Sequence, residues 1–181
     1  MSVIVGSEAL VPPTYQGERM KFSKTLVVLF LAILMPLKAQ QQTLSEVQQV
    51  AADLGQQTFC LAKNIYHEAA TESYEGKLAV AQVTMNRVNN PNFPKTVCGV
   101  VYQKVNNTYQ FSWVGMKNVE IKNRYAWEEC LIVAKKALTE TKLHDIIYRT
   151  KSMNYHNTSV SPGWKLKRVT QIGNHIFYTN I

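Results

Sequence analysis

The sequence predicts an α+β fold, mainly helical with a small antiparallel β-sheet, and three patterns carry that prediction. Leu61, Ile65 and Glu68 fall at i, i+4 and i+7, the spacing of one helix face. Leu78, Ala81, Met85 and Val88 line one side of a following segment whose other sides hold Ala79, Val80 and Val83. A helix apolar nearly all round belongs at the centre of a domain. Near the C-terminus, residues 152–156 and 168–172 read as strands, and Gly173-Asn174 between Ile172 and His175 is a two-residue hairpin signal.

The 181 residues, 46% of them hydrophobic, are enough for one domain with its own core. The chain begins with an extension, residues 1–19, and Met20 reads as the initiator. Met20-Lys21-Phe22-Ser23-Lys24 is a positive start, residues 25–37 are apolar but short for a membrane span, and Lys38-Ala39-Gln40 offers a small residue at a cleavage point. Residues 1–39 are therefore read as extension plus signal peptide, with an uncleaved anchor as the rival, and on either reading the rest is exported. Any membrane contact is then transient, through this segment.

Without Arg19, Lys21, Lys24 and Lys38, the 20 basic residues become 16. Without Glu8 and Glu18, the 12 acidic ones become 10, so the exported part carries +6. A basic surface attracts polyanions such as envelope phosphates and carboxylates. Nucleic acid is not expected, because no basic run interleaved with aromatics occurs.

Residues 40–57 form a Gln-rich polar lead-in with a weak apolar pattern (Leu44, Val47, Val50, Leu54), readable as a frayed helix. The domain proper is placed at residues 58–181. Its first helix is expected over residues 58–69 with Thr58 as cap, and its second over residues 74–88, stopped by Asn89-Asn90-Pro91-Asn92. Residues 97–102 are apolar, and periodicity leaves their type open. A polar loop at 104–108 follows. Trp127, Leu131, Ala134 and Leu138 then mark a helix over residues 123–139 whose outer face carries Glu128, Glu129, Lys135 and Lys136. Neither a repeat nor a linker points to a second domain, and a monomer is expected.

Glu68 shares its helix face with apolar residues. A carboxyl group among such neighbours loses hydration in its charged form, so its pKa should rise from about 4.3, which suits a proton donor. Glu75, seven residues on, either supports a site or caps the second helix. Glu72 lies in the turn and reads as solvated. His67-Glu68 begins like the zinc-protease helix, but Thr71 stands where its second histidine belongs. Neither metal nor cofactor is expected. A zinc amidase built from His67, His144, His156 and His175 is the rival chemistry, although that spacing matches no motif. Cys60, Cys98 and Cys130 cannot all pair within one chain: Cys60 and Cys130 either bridge or stay as buried thiols.

Five blocks in order carry a resemblance: Tyr66-His67-Glu68-Ala69 with Tyr74-Glu75-Gly76 and Asn86-Arg87-Val88; Phe93-Pro94-Lys95-Thr96-Val97-Cys98-Gly99; Gln110-Phe111-Ser112-Trp113; Asn154-Tyr155-His156-Asn157 with Pro162-Gly163-Trp164; and Ile172-Gly173-Asn174-His175-Ile176-Phe177-Tyr178. Together they resemble the SleB/CwlJ-type cell-wall hydrolases, which include spore-cortex-lytic enzymes. The resemblance implies a lysozyme-like domain acting on peptidoglycan glycan strands, with Glu68 as general acid and a lytic transglycosylase route, simple hydrolysis being the alternative. It implies Gln110, Ser112, Tyr155, His156 and Asn157 as cleft residues. Tyr155, Gln110 and Ser112 are the sugar-binding choices, and His175 is a weaker one.

Phe111, Trp113, Phe177 and Tyr178 read as core. Relatives bridge the cysteine of Thr-Val-Cys to one just before Gln-Phe-Ser-Trp, where this chain has Tyr109. They also tend to show Glu-Ala-Arg-Gly-Glu, where this chain has Glu68-Ala69-Ala70-Thr71-Glu72. Loss of that arginine removes a fixed positive charge near the acid, and it makes a non-catalytic envelope-binding protein of the same fold a second rival.

Overall fold

The computed structural model describes residues 24–180, with side chains from residue 37 onward. The predicted extension and residues 20–23 of the signal segment's charged start lie outside the described residues, and residues 24–36 are described as backbone alone. Among the described residues, no helix is long and apolar enough to cross a membrane. Contacts divide the chain into two units between Glu46 and Val47, and the account below concerns the second.

Helix α1 (Lys24–Ala69) ends with the predicted apolar face, where Leu61 and Ile65 are fully buried. Thr58 is not its cap. The helix runs through that position, and the Thr58 hydroxyl donates back to the Leu54 carbonyl (2.7 Å), so the Gln-rich lead-in is helical. A sequence offering Thr before an apolar run cannot distinguish a cap from this internal back-bond.

Helix α2 (Tyr74–Val88) has the predicted bounds. Its cap is Ser73, whose Oγ accepts from the Gly76 amide (3.2 Å). Its apolar sides serve two cores. Leu78, Ala81, Met85 and Val88 join Leu61, Ile65, Val100, Val133 and Ala134. Ala79, Val80 and Val83 join Ala69, Ile147 and Phe177. Each fully buried Leu, Ile, Val or Phe contributes roughly 1.5–3 kcal/mol, and α2 needs both cores because beyond its exposed first turn, Tyr74 and Glu75, its residues are buried or half-buried.

Residues 97–102 resolve into a short helix, α3 (Val97–Val101), capped by Thr96 Oγ1 accepting from the Gly99 amide (3.0 Å). Strands β1 (Lys104–Val105) and β2 (Thr108–Tyr109) make a small hairpin across the expected loop, and a 3-10 turn (Ser112–Gly115) follows. Helix α4 (Arg124–Thr139) is capped by Asn123, and α5 (Asp145–Arg149) is a short helix that the sequence did not announce. Strands β3 (Asn154–Asn157), β4 (Lys167–Ile172) and β5 (His175–Thr179) form an antiparallel sheet in the order β3-β5-β4. The β4–β5 turn is Gly173-Asn174, with Gly173 at φ +55°.

The cysteine expectation needs correction. Cys60 bridges Cys98, and Cys130 is a buried free thiol whose pKa burial pushes up to about 11. The reason is the docking of α3 against α1. It places the two Cα atoms 5.2 Å apart, within the span a bridge requires, and seats the Cys98 amide on Gln57 Oε1 (3.0 Å). Cys130 sits on α4 inside the core. Cys98→Ser is expected to lower the unfolding free energy by about 2–4 kcal/mol. Urea melts with and without dithiothreitol check this: the reductant should destabilise the parent protein and leave the variant unchanged.

Candidate active site

The last turn of α1 delivers His67 and Glu68 to a cleft of about 480 Å³. The Phe111–Trp113 segment forms one wall, the end of β3 another, and His175 at the start of β5 closes it. Of the residues predicted for the site, Glu68, Gln110, Ser112 and Tyr155 all line this cleft. So do His156, Asn157 and His175.

Glu75 does not. It points outward from the first turn of α2, 70% exposed, and pairs with His144 Nε2 (3.2 Å). His144 is thereby engaged away from the cleft. Among the described residues, no group of three His, Cys, Asp or Glu side chains is placed to hold a metal ion.

Glu68 is held by Tyr155, whose hydroxyl donates to Oε2 (3.2 Å). Burial raises the Glu68 pKa above its ordinary value, while that hydrogen bond and the charge of Arg87 pull it part of the way back. The Tyr155 phenol is itself pushed well up, first by burial and then by the Glu68 charge, so it remains a donor. Glu68 is the only carboxylate among the residues lining the cleft.

Glu72 is not solvated, contrary to the sequence reading. It is 8% exposed and turned under the sheet, where its carboxylate accepts from the Asn174 amide (3.2 Å) and from Asn174 Nδ2 (3.0 Å). This clamp ties the α1–α2 turn, which carries Glu68, to the hairpin that carries His175. A Cβ at Gly173 would run into Glu72 Oε2, so glycine is needed there for space as well as for its positive φ.

Arg87 is the residue that sequence reasoning missed. It lines the cleft, is 6% exposed, and its guanidinium lies over the rings of Phe93 (5.6 Å) and Phe111 (5.1 Å) while Nε donates to the Met153 carbonyl (2.8 Å). The signal was present: an arginine on a helix without a wet side has to be buried and must find partners.

Three buried nitrogens facing this region, His67 Nε2, His175 Nδ1 and Arg87 Nη1, have no partner among the described residues. Burial lowers the pKa of both imidazoles, with Lys63 adding to it at His67, so they act as neutral hydrogen-bonding groups. Phe111 and Trp113 are buried as expected, yet each also lines the cleft. Asn64 Oδ1 fixes the indole by accepting from Trp113 Nε1 (3.0 Å). At His156, Nδ1 faces the Asn157 carbonyl (2.9 Å), which only accepts, so the proton sits on Nδ1. Nε2 then accepts from the Tyr178 hydroxyl (2.9 Å).

An α+β domain with one partly buried, hydrogen-bonded carboxyl group in a cleft between helix end and sheet defines the class. The family described as Cell Wall Hydrolase matches residues 71–178, and the chain belongs to that family. The match begins three residues after Glu68. The chain is 28% identical to the spore cortex-lytic enzyme of Bacillus subtilis (strain 168) over 145 residues, covering 78% of this chain and 44% of that protein. It is 29% identical to the spore cortex-lytic enzyme of Oceanobacillus iheyensis over 65% of this chain and 39% of that protein. The chain thus spans less than half the length of these relatives. Among solved structures, the catalytic domain of the germination-specific lytic transglycosylase SleB from Bacillus anthracis is similar at 26% identity and TM-score 0.52, over 68% of this chain and 93% of that one.

The raised pKa makes a stability prediction. Folded Glu68 holds its proton more tightly than it does in the unfolded chain, whose value is near 4.5. From there up to the folded pKa, the native state binds the extra proton, so stability falls as pH rises through that window and levels off above it. Glu68→Gln lacks this slope. Its stability relative to the parent should therefore grow with pH across the window. Urea unfolding from about pH 4 to pH 8 measures it, and a pH-independent difference would mean that Glu68 titrates as an ordinary carboxylate.

Proposed function

We propose that this chain is an exported peptidoglycan glycosidase that cleaves the MurNAc–GlcNAc bond with Glu68 as general acid and then general base, by the lytic transglycosylase route. The observation that carries the reading is the lone carboxylate in the cleft. An inverting hydrolase needs a second carboxylate about 6.5–9.5 Å from the acid, and a retaining one needs it about 5–5.5 Å away. Glu72 is clamped to the hairpin by Asn174, and Glu75 points outward and pairs with His144.

With one carboxylate, the substrate supplies the nucleophile. Glu68 protonates the bridging oxygen, which leaves as the GlcNAc 4-hydroxyl, and an oxocarbenium-like centre develops at MurNAc C1. The MurNAc 6-hydroxyl attacks C1 and gives its proton to the Glu68 carboxylate. The products are a 1,6-anhydromuramoyl end and a regenerated acid. Tyr155 occupies Oε2 and keeps the carboxyl oriented through both transfers.

Membership in the cell wall hydrolase family and the likeness to spore cortex-lytic enzymes support peptidoglycan as substrate. The Cys60–Cys98 bridge supports an oxidising compartment, and hence export.

Glu68→Gln should fold and lose at least about a hundredfold in lysis of purified walls, since a positioned acid–base typically contributes about 10²–10⁴-fold. Near-normal lysis by the folded variant would remove Glu68 from its role. Digestion in ¹⁸O-labelled water tests the route: new ends should be unlabelled and anhydro. Label at new reducing ends would identify water as the nucleophile and leave a muramidase-type hydrolase.

A further inference from the structure

Trp164 lies outside the mechanism just described, although the segment that carries it is built with care. Between β3 and β4 the chain passes through Pro162 and Gly163. Gly163 adopts φ +65°, and nothing lies within 4 Å of where its Cβ would be. Glycine there serves a left-handed backbone and not a close contact. Pro162 restricts the preceding residue. The outcome of this shaping is an indole that packs edge-to-face on two rings, His156 (5.5 Å, 78°) and Tyr178 (5.8 Å, 84°), which stack on each other (5.2 Å, 24°) and share a hydrogen bond.

Two facts separate this cluster from ordinary core. Trp164 keeps 41% of its surface exposed, against 5% for Trp113, so the packing fixes the ring without covering it. And His156 belongs both to the cluster and to the cleft wall, which continues through Asn157 at the end of β3 to Val160 beyond it. The cleft therefore leads from Glu68, along β3, to an exposed aromatic ring held rigidly at its border. A flat indole of that kind fits the apolar face of a pyranose ring, and Asn157 Nδ2, with no partner among the described residues, is a donor available for an acetamido carbonyl.

We propose that Trp164, braced by His156 and Tyr178, is a carbohydrate subsite beyond the scissile bond that takes an N-acetylhexosamine of the same strand. The proposal rests on the glycan-cleaving reading above and adds a length requirement to it: affinity rises in a step once the strand is long enough to reach the indole.

Calorimetry with peptide-free GlcNAc–MurNAc strands of increasing length tests this, using the full chain with Glu68→Gln so that substrate persists. The parent should gain about tenfold in affinity at one particular length, the scale of a single aromatic contact. Adding Trp164→Ala should abolish that step. Trp164→Leu, which keeps apolar bulk against the two rings but offers no flat face, should abolish it as well, and circular dichroism shows that the fold persists. A step that survives in both variants overturns the subsite while leaving the glycosidase reading intact. An equal loss at every length overturns it too, since that is the signature of a structural role. If the parent binds no strand of any length, the glycan reading falls and the subsite falls with it.

Discussion

The buried cation of Arg87 is the constraint on which the rest of the site depends. Removing a guanidinium from water costs several kcal/mol unless its surroundings replace the lost hydration. Here they come from four parts of the chain. Phe93 and Phe111 face the ring of charge, the Met153 carbonyl takes Nε, and Glu68 lies near enough to feel its field. Each partner gains a position by serving Arg87. Phe111 is thereby aligned as a cleft wall, and the Met153 carbonyl fixes where β3 starts, so Tyr155 arrives opposite Glu68. Neighbouring Asn86 reinforces this by donating to the Ile147 and Ser152 carbonyls (3.0 and 2.9 Å), which ties α5 and the approach to β3 onto the same helix end. One buried charge at the end of α2 thus organises elements that meet nowhere else in the sequence.

A second tie works from the other end of the cleft. Glu72 is acidic and sits four residues after Glu68, yet its environment is the reverse: it accepts two hydrogen bonds from Asn174 and serves as a fastener. Glu68 receives a single hydrogen bond from Tyr155 and remains partly desolvated, with its pKa raised. Two carboxylates in one turn are assigned different work by the number of donors each one meets. Arg87 also answers the question raised by Ala70, which stands where relatives tend to carry arginine. A fixed positive charge is still present near the acid, supplied from α2.

Much of this was legible in the sequence where the signal is local. The bounds of α2, its apolar character nearly all round, the helix over residues 123–139 and the Gly173-Asn174 hairpin all follow from periodicity and turn chemistry. Glu68 on an inward face followed from two apolar neighbours, Leu61 and Ile65, at helical spacing. What escaped depends on distant pairing. Cys98 meets Cys60 only because α3 docks on α1, and a five-residue helix is too short for periodicity to declare. Glu72 looked solvated because its partner Asn174 is 102 residues away, and Glu75 lost its proposed part once Ser73 took the cap and His144 took the carboxylate. Arg87 was overlooked for a different reason. It was counted as charge, when its place on a helix apolar nearly all round should have raised the matter of what neutralises it.

On the proposed route the acid must also be a base, which is a narrow requirement. In the proposed cycle, Glu68 must be protonated when substrate arrives and ionised a moment later, when the 6-hydroxyl gives up its proton. Burial alone would favour the first state and make the second expensive. A bare cation in contact would favour the second and leave too little acid to begin. Arg87 and Tyr155 stand between these limits. The arginine acts through space while its own hydrogen bond goes to Met153, and the tyrosine donates one hydrogen bond that stabilises the carboxylate without supplying a full charge. Both pull the Glu68 pKa down, and burial still outweighs them. The balance of the three leaves the Glu68 pKa above its ordinary value, the direction a proton donor needs. On the proposed route a single carboxylate serves both half-reactions, and in a cleft without a second carboxylate the Arg87 charge and the Tyr155 hydroxyl are what favour its ionised state against burial.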